Sequence, residues 1–259
     1  MKIALVQYSP AWEDKETNKK KIYSLVQDTN GVELFIFPEM TLTGFTMKSE
    51  EMSETIQGES FRFFSSIAKD KSANIFAGII ERRNIRIYNT LIHIRPDGNL
   101  LKLYRKVHPF SYSGEKDNYD AGVRPALTKI RKWKIGLTIC YDLRFPELYR
   151  KYGKKRAHLI VNIANWPDTR IEHWRTLLKS RAIENQCYVA GVNRVGKDPK
   201  LNYVGFSSVI DPMGKEIAAV ENEEKVIIIE LDKNYVNEVR EKFPFLQFGG
   251  GKTRHPGLL

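Results

Sequence analysis

Apolar runs and amphipathic segments alternate along the chain and predict an alternation of strands and helices. The apolar runs contain few polar positions, which is typical of strands covered on both faces of a sheet. The strands predicted in this way are residues 2–7, 33–38, 74–80, 133–139, 157–164, 187–192 and 225–231. Helical spacing of apolar positions predicts helices at residues 17–27, 60–71, 147–153, 172–185 and 235–242. The pattern therefore predicts an α/β fold.

Two hairpins interrupt this alternation and predict that antiparallel strands extend the sheet. Residues 85–95 and 100–104 flank a turn that contains Asp97-Gly98, and an Asp-Gly pair between apolar runs favours a tight turn. Residues 203–210 and 216–219 flank a second turn that contains a proline and a glycine. Both hairpins are expected to add antiparallel strands to an otherwise parallel arrangement.

Cys140 lies where the predicted strand at residues 133–139 gives way to a predicted helix. The first free backbone N–H groups of a helix favour a thiolate and can hold a developing oxyanion. Cys140 is therefore a candidate nucleophile for acyl transfer, and the alternative is a small buried residue without chemistry. The second cysteine, Cys187, is predicted to be a buried spectator.

Three further polar residues follow apolar runs or turns and are candidates for the same chemistry. Glu39 closes the strand at residues 33–38, where a carboxylate is costly to desolvate and must be paired or neutral. Lys106 closes the second strand of the first hairpin, and Glu115 opens the loop that follows. The alternative for Glu39 is a salt-bridged loop residue, and for Lys106 a polar residue at the rim of the sheet.

Composition narrows the class of protein without identifying a reaction. The 259 residues are most simply one domain, with residues 243–259, rich in glycine and proline, as an extended C-terminal arm. The net charge of +11 comes from scattered short clusters, so we expect no nucleic-acid binding. No apolar run approaches a membrane span or a signal peptide, which predicts a cytoplasmic protein. The two cysteines have neither disulfide nor zinc-site spacing, so no metal is expected.

Taken together, three fragments resemble the nitrilase superfamily of carbon–nitrogen hydrolases. They are Phe37-Pro38-Glu39 with Thr43-Gly44-Phe45, then Arg105-Lys106-Val107-His108, and then residues 140–147, which read CYDLRFPE. The resemblance implies a four-layer α-β-β-α sandwich, a Glu39-Lys106-Cys140 catalytic set with Glu115 as the second glutamate, and no cofactor. It also implies a homodimer in which two sandwiches pack back to back.

The resemblance implies a role for each residue that agrees with its chemistry. A free cysteine has a pKa near 8.5, so Cys140 needs a base, Glu39, to take its proton. The thiolate attacks an amide carbonyl, and Lys106 and the backbone N–H of Tyr141 hold the oxyanion. Ammonia leaves, and Glu39 activates the water that hydrolyses the thioester. The rival chemistry is a papain-like pair of Cys140 with His108 or His173.

The sequence around Cys140 and at residues 165–167 and 181–196 is most similar to that of bacterial omega-amidases. That branch hydrolyses the terminal amide of small 2-oxo-acid amides such as 2-oxoglutaramate and 2-oxosuccinamate. A substrate carboxylate needs a cation, and Arg170 is the candidate, with a surface loop arginine as the alternative. The other functions considered are a deaminated glutathione amidase, another small amide or nitrile hydrolase of the superfamily, and a non-catalytic binding protein on the same fold.

Overall fold

The structure, a computed structural model, describes residues 1–248 of the chain. In chain order its strands are β1 (Lys2–Gln7), β2 (Leu34–Ile36), β3 (Asn74–Arg83), β4 (Arg86–Ile94), β5 (Leu100–Arg105), β6 (Ala126–Ile130), β7 (Trp133–Ile139), β8 (Leu159–Ile163), β9 (Tyr188–Val192), β10 (Val195–Lys197), β11 (Asn202–Ile210), β12 (Glu216–Glu221) and β13 (Lys225–Glu230). Its helices are α1 (Lys15–Val26), α2 (Ser49–Met52), α3 (Glu59–Lys71), α4 (Glu115–Asn118), α5 (Pro146–Lys154), α6 (Ile171–Asn185), α7 (Lys233–Lys242) and α8 (Phe245–Phe248).

The strands form two mixed sheets. The first sheet has the order β13-β1-β2-β3-β4-β5, in which β1, β2 and β3 are parallel and the other pairs are antiparallel. The second has the order β10-β11-β9-β8-β7-β6, with β12 paired to β11, and its parallel strands are β7, β8 and β9. Both sheets thus combine three parallel strands with antiparallel edges, as the two predicted hairpins indicated.

Alternate residues of each buried strand face different cores, which produces four layers. In β1, Ile3 and Leu5 join a core shared with apolar residues of the second sheet, whereas Ala4 and Val6 pack with residues of α1 and α3. The outer face of the second sheet packs in the same way against α5 and α6. The predicted α-β-β-α sandwich is therefore confirmed, and the uninterrupted apolar runs are explained by burial on both faces.

Most predicted elements are present, with boundaries shifted by one to three residues. The hydrophobic pattern does not predict β6 (Ala126–Ile130), because the strand is short and the adjacent polar residues Thr128 and Lys129 interrupt its apolar residues. It does predict α7, which Asp232 caps by accepting a hydrogen bond from the Asn234 N–H at 2.8 Å. The predicted C-terminal arm begins with the short helix α8, and residues 249–259 lie outside the described part of the chain. Among the described residues, no helix is long and apolar enough to cross a membrane.

The two sheets bring several strand ends to one edge of the sandwich. Parallel strands present their carboxyl ends at the same edge of a sheet, where side chains of successive loops meet. Glu39 follows β2, Cys140 follows β7, Asn165 follows β8 and Lys106 follows β5.

Candidate active site

Glu39 is held in a sharp turn directly after β2 and is buried. The next residue, Met40, adopts a positive φ of 44°, which is costly for a residue with a side chain. The turn packs against Gly78 of β3, where an added Cβ would lie 2.4 Å from the Met40 nitrogen. The Thr41 N–H donates to the Gly78 carbonyl at 2.9 Å. Close backbone packing therefore fixes the position of the Glu39 carboxylate.

Lys106 is buried and lies between two carboxylates. Its Nζ is 2.9 Å from Glu39 Oε1 and 2.9 and 2.8 Å from the two carboxylate oxygens of Glu115. Burial alone would lower the pKa of Lys106, but the charges of Glu115 and Glu39 raise it above its ordinary value. Lys106 is therefore a fixed cation. The alternative of a polar residue at the sheet rim is wrong, since its side chain is 1% exposed.

Glu115 is a buried carboxylate at the first position of α4. It accepts hydrogen bonds from Lys106 and, at 2.6 Å, from the Phe110 N–H. Burial raises the pKa of Glu115. The charge of Glu39 also raises it, and the charge of Lys106 opposes the shift. Glu39 and Glu115 share one ammonium, so the cluster carries more carboxylates than cations.

Cys140 follows β7 and begins a short 3-10 turn, Cys140–Arg144, rather than the predicted α-helix, which starts at Pro146. Its φ is +44°, a second costly conformation beside the cluster. Burial, and next the charge of Glu39, raises the pKa of the Cys140 thiol well above its usual value, while Lys106 opposes the shift. Both effects oppose the thiolate that the position of Cys140 before a helix was expected to favour.

Asp142 ties the cysteine turn to the segment after Lys106. It is fully buried and accepts hydrogen bonds from the Ile139 N–H at 3.0 Å and the Tyr104 hydroxyl at 2.7 Å. It also contacts His108 through the backbone N–H at 3.1 Å and ring Nδ1 at 2.8 Å. The His108 ring stacks on Phe145 with centroids 3.7 Å apart. These contacts engage His108 in positioning the turn, which argues against its pairing with Cys140.

Asn165, which follows β8, connects Glu39 to Cys140. Its backbone N–H donates to Glu39 Oε2 at 2.9 Å, and its side chain donates to the Glu39 carbonyl at 2.7 Å. Its own carbonyl oxygen is 3.9 Å from Cys140 Sγ. Asn193 holds the next residue, Trp166, through both its backbone N–H (2.7 Å) and its carbonyl (2.9 Å). The position of Asn165 after a buried strand was a signal for this role that sequence reasoning did not use.

A cavity of about 470 Å³ opens in front of Cys140. Its walls are mainly aromatic and apolar, and they include Tyr141, Asn165 and two arginines, Arg144 and Arg170. The Arg144 guanidinium lies 4.8 Å from the Trp166 ring, and that of Arg170 lies 5.5 Å from the Phe110 ring. Burial and the charge of Arg170 lower the pKa of Arg144. Neither arginine forms an ion pair within residues 1–248.

The structure thus brings the six predicted site residues to one place. Glu39, Lys106 and Glu115 are in direct contact, while Cys140, Tyr141 and Arg170 line the cavity beside them. The position of Arg170 on the cavity wall argues against a plain surface arginine. Sequence reasoning missed Arg144, whose Nη2 is 3.1 Å from His173 Nδ1, although it belongs to the same fragment as Cys140.

Comparisons with known proteins agree with this geometry. The carbon–nitrogen hydrolase family model matches residues 2–241. The chain is 36% identical to a 2-oxoglutaramate amidase of Paenarthrobacter nicotinovorans over 89% of this chain and 83% of the relative. It is 34% identical to the omega-amidase YafV of Escherichia coli K12 over 95% of this chain and 96% of the relative. The crystal structure of XC1258 from Xanthomonas campestris, a CN-hydrolase superfamily protein with an arsenic adduct in its active site, superposes with a TM-score of 0.93 at 32% identity, covering 98% of both chains.

Proposed function

The chain belongs to the carbon–nitrogen hydrolase family, and from this premise we propose that it is a cysteine-dependent omega-amidase. It releases ammonia from the terminal amide of small 2-oxo-acid amides such as 2-oxoglutaramate and 2-oxosuccinamate. One observation carries the proposal: two buried carboxylates and one buried ammonium lie beside the Cys140 thiol, at a cavity whose walls include two arginines without ion-pair partners in the described residues. The relatives named 2-oxoglutaramate amidase and omega-amidase support the same substrate class.

The charge of the cluster explains why Glu39 must act as the base. Ionising Cys140 alone would add a negative charge beside two carboxylates, and burial first and the charge of Glu39 second raise the pKa of the thiol. Transfer of the thiol proton to Glu39 leaves the total charge unchanged. The Cys140 sulfur then bonds to the amide carbon, and the carbonyl electron pair moves to oxygen.

Lys106 and the Tyr141 N–H are proposed to hold the resulting oxyanion. In the resting state the Lys106 ammonium contacts Glu39 and Glu115. Once Glu39 is protonated, its attraction for Lys106 weakens, and one N–H of the ammonium becomes free for the oxyanion. Glu115 keeps Lys106 in place during this exchange.

The second half of the reaction returns each proton. Glu39 donates its proton to the amide nitrogen, the carbon–nitrogen bond breaks, and ammonia leaves a thioester on Cys140. Glu39 next takes a proton from water, whose oxygen bonds to the thioester carbon. The sulfur leaves, takes the proton back from Glu39, and the carboxylic acid is released. No step requires a metal or cofactor.

Arg144 and Arg170 are proposed to bind the substrate carboxylate. Charge-assisted hydrogen bonds of this kind contribute about 1.5–3 kcal/mol each. Arg144→Ala and Arg170→Ala should each raise the KM for 2-oxoglutaramate about 10- to 100-fold with little change in kcat. Steady-state assays of ammonia release test this, with Arg83→Ala as a control because Arg83 is exposed and does not line the cavity.

Butyramide, which has no carboxylate, separates the role of the arginines from general damage. Butyramide should be hydrolysed slowly, and at the same rate in wild type and in both variants. An unchanged KM for 2-oxoglutaramate in Arg144→Ala and Arg170→Ala would contradict carboxylate binding by these residues.

The size of the cavity favours one second candidate, deaminated glutathione amidase. A volume of about 470 Å³ is in the range of pockets for drug-sized ligands and exceeds what 2-oxoglutaramate needs. Both substrates yield 2-oxoglutarate, so its release can be compared directly. A higher kcat/KM for 2-oxoglutaramate supports the omega-amidase proposal, and a higher kcat/KM for deaminated glutathione replaces it.

The family resemblance also supports a homodimer and a cytoplasmic location. Size-exclusion chromatography with light scattering tests the first proposal, and a monomer at assay concentration would contradict it. Cell fractionation tests the second.

A further inference from the structure

We infer that Asn89 is a positioning residue that selects Oε2 of Glu39 as the atom that takes the Cys140 proton. The inference rests on the proposed function and concerns the same site. It follows from the side-chain contacts of Asn89 and from the hydrogen bonds that each oxygen of Glu39 receives.

Asn89 lies in β4, directly beside Lys106. Its backbone carbonyl accepts a hydrogen bond from the Lys106 N–H at 2.9 Å, and its side chain is buried. The side-chain amide donates to Glu39 Oε1 at 2.6 Å and to Glu115 Oε1 at 2.8 Å. A single amide group therefore connects the two carboxylates.

The orientation of this amide is determined by its partners. Both contacts are to carboxylate oxygens that already accept from Lys106, so a reversed amide would place its own oxygen against them without a proton between. Asn89 Oδ1 is buried and has no hydrogen-bond partner in the described part of the chain. An unsatisfied buried oxygen is unfavourable, and the donation to both carboxylates accounts for the residue at this position.

The two oxygens of Glu39 are left in different states. Each carboxylate oxygen has room for about two hydrogen bonds, and Oε1 receives one from Lys106 and one from Asn89. Oε2 receives one well-formed bond, from the Asn165 N–H at 2.9 Å, and a long contact of 3.4 Å from the Asn165 side chain. Oε2 therefore keeps the capacity to accept a proton.

Oε2 is also the Glu39 oxygen that is connected to Cys140 through Asn165. Asn165 donates to Oε2 through its N–H, and its carbonyl oxygen is 3.9 Å from Cys140 Sγ. Oε1, in contrast, faces the ammonium and amide donors of Lys106 and Asn89. Without Asn89, Oε1 would have a free acceptor position, and the carboxylate could rotate so that either oxygen meets the thiol.

The test uses Asn89→Ala and Asn89→Ser, with Thr90→Val as the matched control. Thr90 is the next residue of β4 but donates to Glu81, away from the site. Asn89→Ala should lower kcat about 10- to 100-fold with KM nearly unchanged, because the base is misplaced. Asn89→Ser, whose hydroxyl can hold one carboxylate, should recover part of the loss, and Thr90→Val should keep wild-type kcat.

The pH profile separates positioning from a purely structural role. Hydrogen bonds to a carboxylate favour its ionised form, so losing both Asn89 donors should disfavour the ionised form of the carboxylates that Asn89 contacts. The acid limb of kcat/KM should therefore move to higher pH in Asn89→Ala, less in Asn89→Ser, and not in Thr90→Val. Lower kcat with an unmoved acid limb in both Asn89 variants would overturn the inference.

A readout without the amide substrate distinguishes failure of the inference from failure of the proposed function. Alkylation of Cys140 by iodoacetamide also requires loss of the thiol proton, so its acid limb should move in the same direction in Asn89→Ala. If wild-type protein does not hydrolyse 2-oxoglutaramate but the acid limb of the alkylation profile moves in Asn89→Ala, the proposed function is refuted and the inference stands. Wild-type turnover with unmoved limbs in both assays refutes the inference alone.

Discussion

Two clusters of charged side chains lie beside each other along β4 and the end of β5. They differ in the balance between carboxylates and cations. Asn89 and Lys106 contact Glu39 and Glu115, whereas Thr90 and Arg105 contact Glu81. Successive strand residues point to opposite faces, which separates the two sets. We call them the Glu39 cluster and the Glu81 cluster.

The Glu81 cluster pairs one cation with one carboxylate. One guanidinium, Arg105, meets one carboxylate through Nε at 2.7 Å and through Nη2, and Thr90 adds a hydrogen bond at 2.8 Å. The Glu39 cluster has two carboxylates for one ammonium and adjoins a cavity. Both clusters contain buried charges. The Glu39 cluster differs from the Glu81 cluster in its second carboxylate and in the adjacent thiol, which together allow proton transfer.

The same substitution at the two glutamates should therefore give opposite results, and Glu39→Gln has the largest expected effect. The amide cannot exchange a proton, so kcat/KM for 2-oxoglutaramate should fall about 10²- to 10⁴-fold. The melting temperature should change little, because lost hydrogen bonds are offset by reduced repulsion from Glu115. Turnover near the wild-type rate in Glu39→Gln would remove Glu39 from the chemistry.

Glu81→Gln should reduce stability and spare the reaction. It leaves Arg105 without its charged partner, and breaking a largely buried ion pair by changing one member costs about 2–4 kcal/mol. Urea unfolding at neutral pH measures this loss, and kcat of the folded fraction should remain at the wild-type value. If Glu81→Gln lowered kcat while leaving the unfolding midpoint unchanged, the contrast between the clusters would fail.

A third polar group on β4, His93, should have the smallest effect and involves no charge at neutral pH. Its ring nitrogens contact Thr128 Oγ1 at 2.7 Å and Asn74 Oδ1 at 2.9 Å, and burial lowers its pKa to about 4. The unfolded chain, with a pKa near 6.5, binds the proton more readily. Stability should therefore fall as pH drops from 7 to 4.5, by about 2 kcal/mol from this residue.

The His93 contribution can be isolated by comparing pH dependences. The difference in unfolding free energy between pH 7 and pH 4.5 should be smaller in His93→Gln than in wild type by that amount. An identical difference in the two proteins would show that His93 does not titrate in this range.

The proximity of two proposed catalytic residues could be predicted from the sequence. Glu39 and Cys140 end continuous apolar strands, and the carboxyl ends of such strands meet at one edge. The four-layer fold came from the family resemblance, and the apolar runs alone would have fitted other α/β arrangements. The pattern does not predict β6, because a short apolar run that two adjacent polar residues interrupt resembles a loop.

The partners of these residues could not be predicted, because hydrogen bonds between distant segments depend on packing. Asn89 and Asn165 contact Glu39 from positions 50 and 126 residues away along the chain. From its position before a helix alone, Cys140 was expected to have a lowered pKa that favours the thiolate. Burial first and the nearby charge of Glu39 second, both tertiary effects, raise the pKa of the thiol instead.

The most direct test of the central claim is the detection of a thioester on Cys140. Wild-type protein mixed with 2-oxoglutaramate and quenched in acid should carry a 2-oxoglutaryl adduct on the peptide that contains Cys140, by mass spectrometry. The peptide with the buried Cys187 should remain unmodified, and Cys140→Ala should show neither adduct nor 2-oxoglutarate release. Release of 2-oxoglutarate by Cys140→Ala, or an adduct on another residue, would contradict the account.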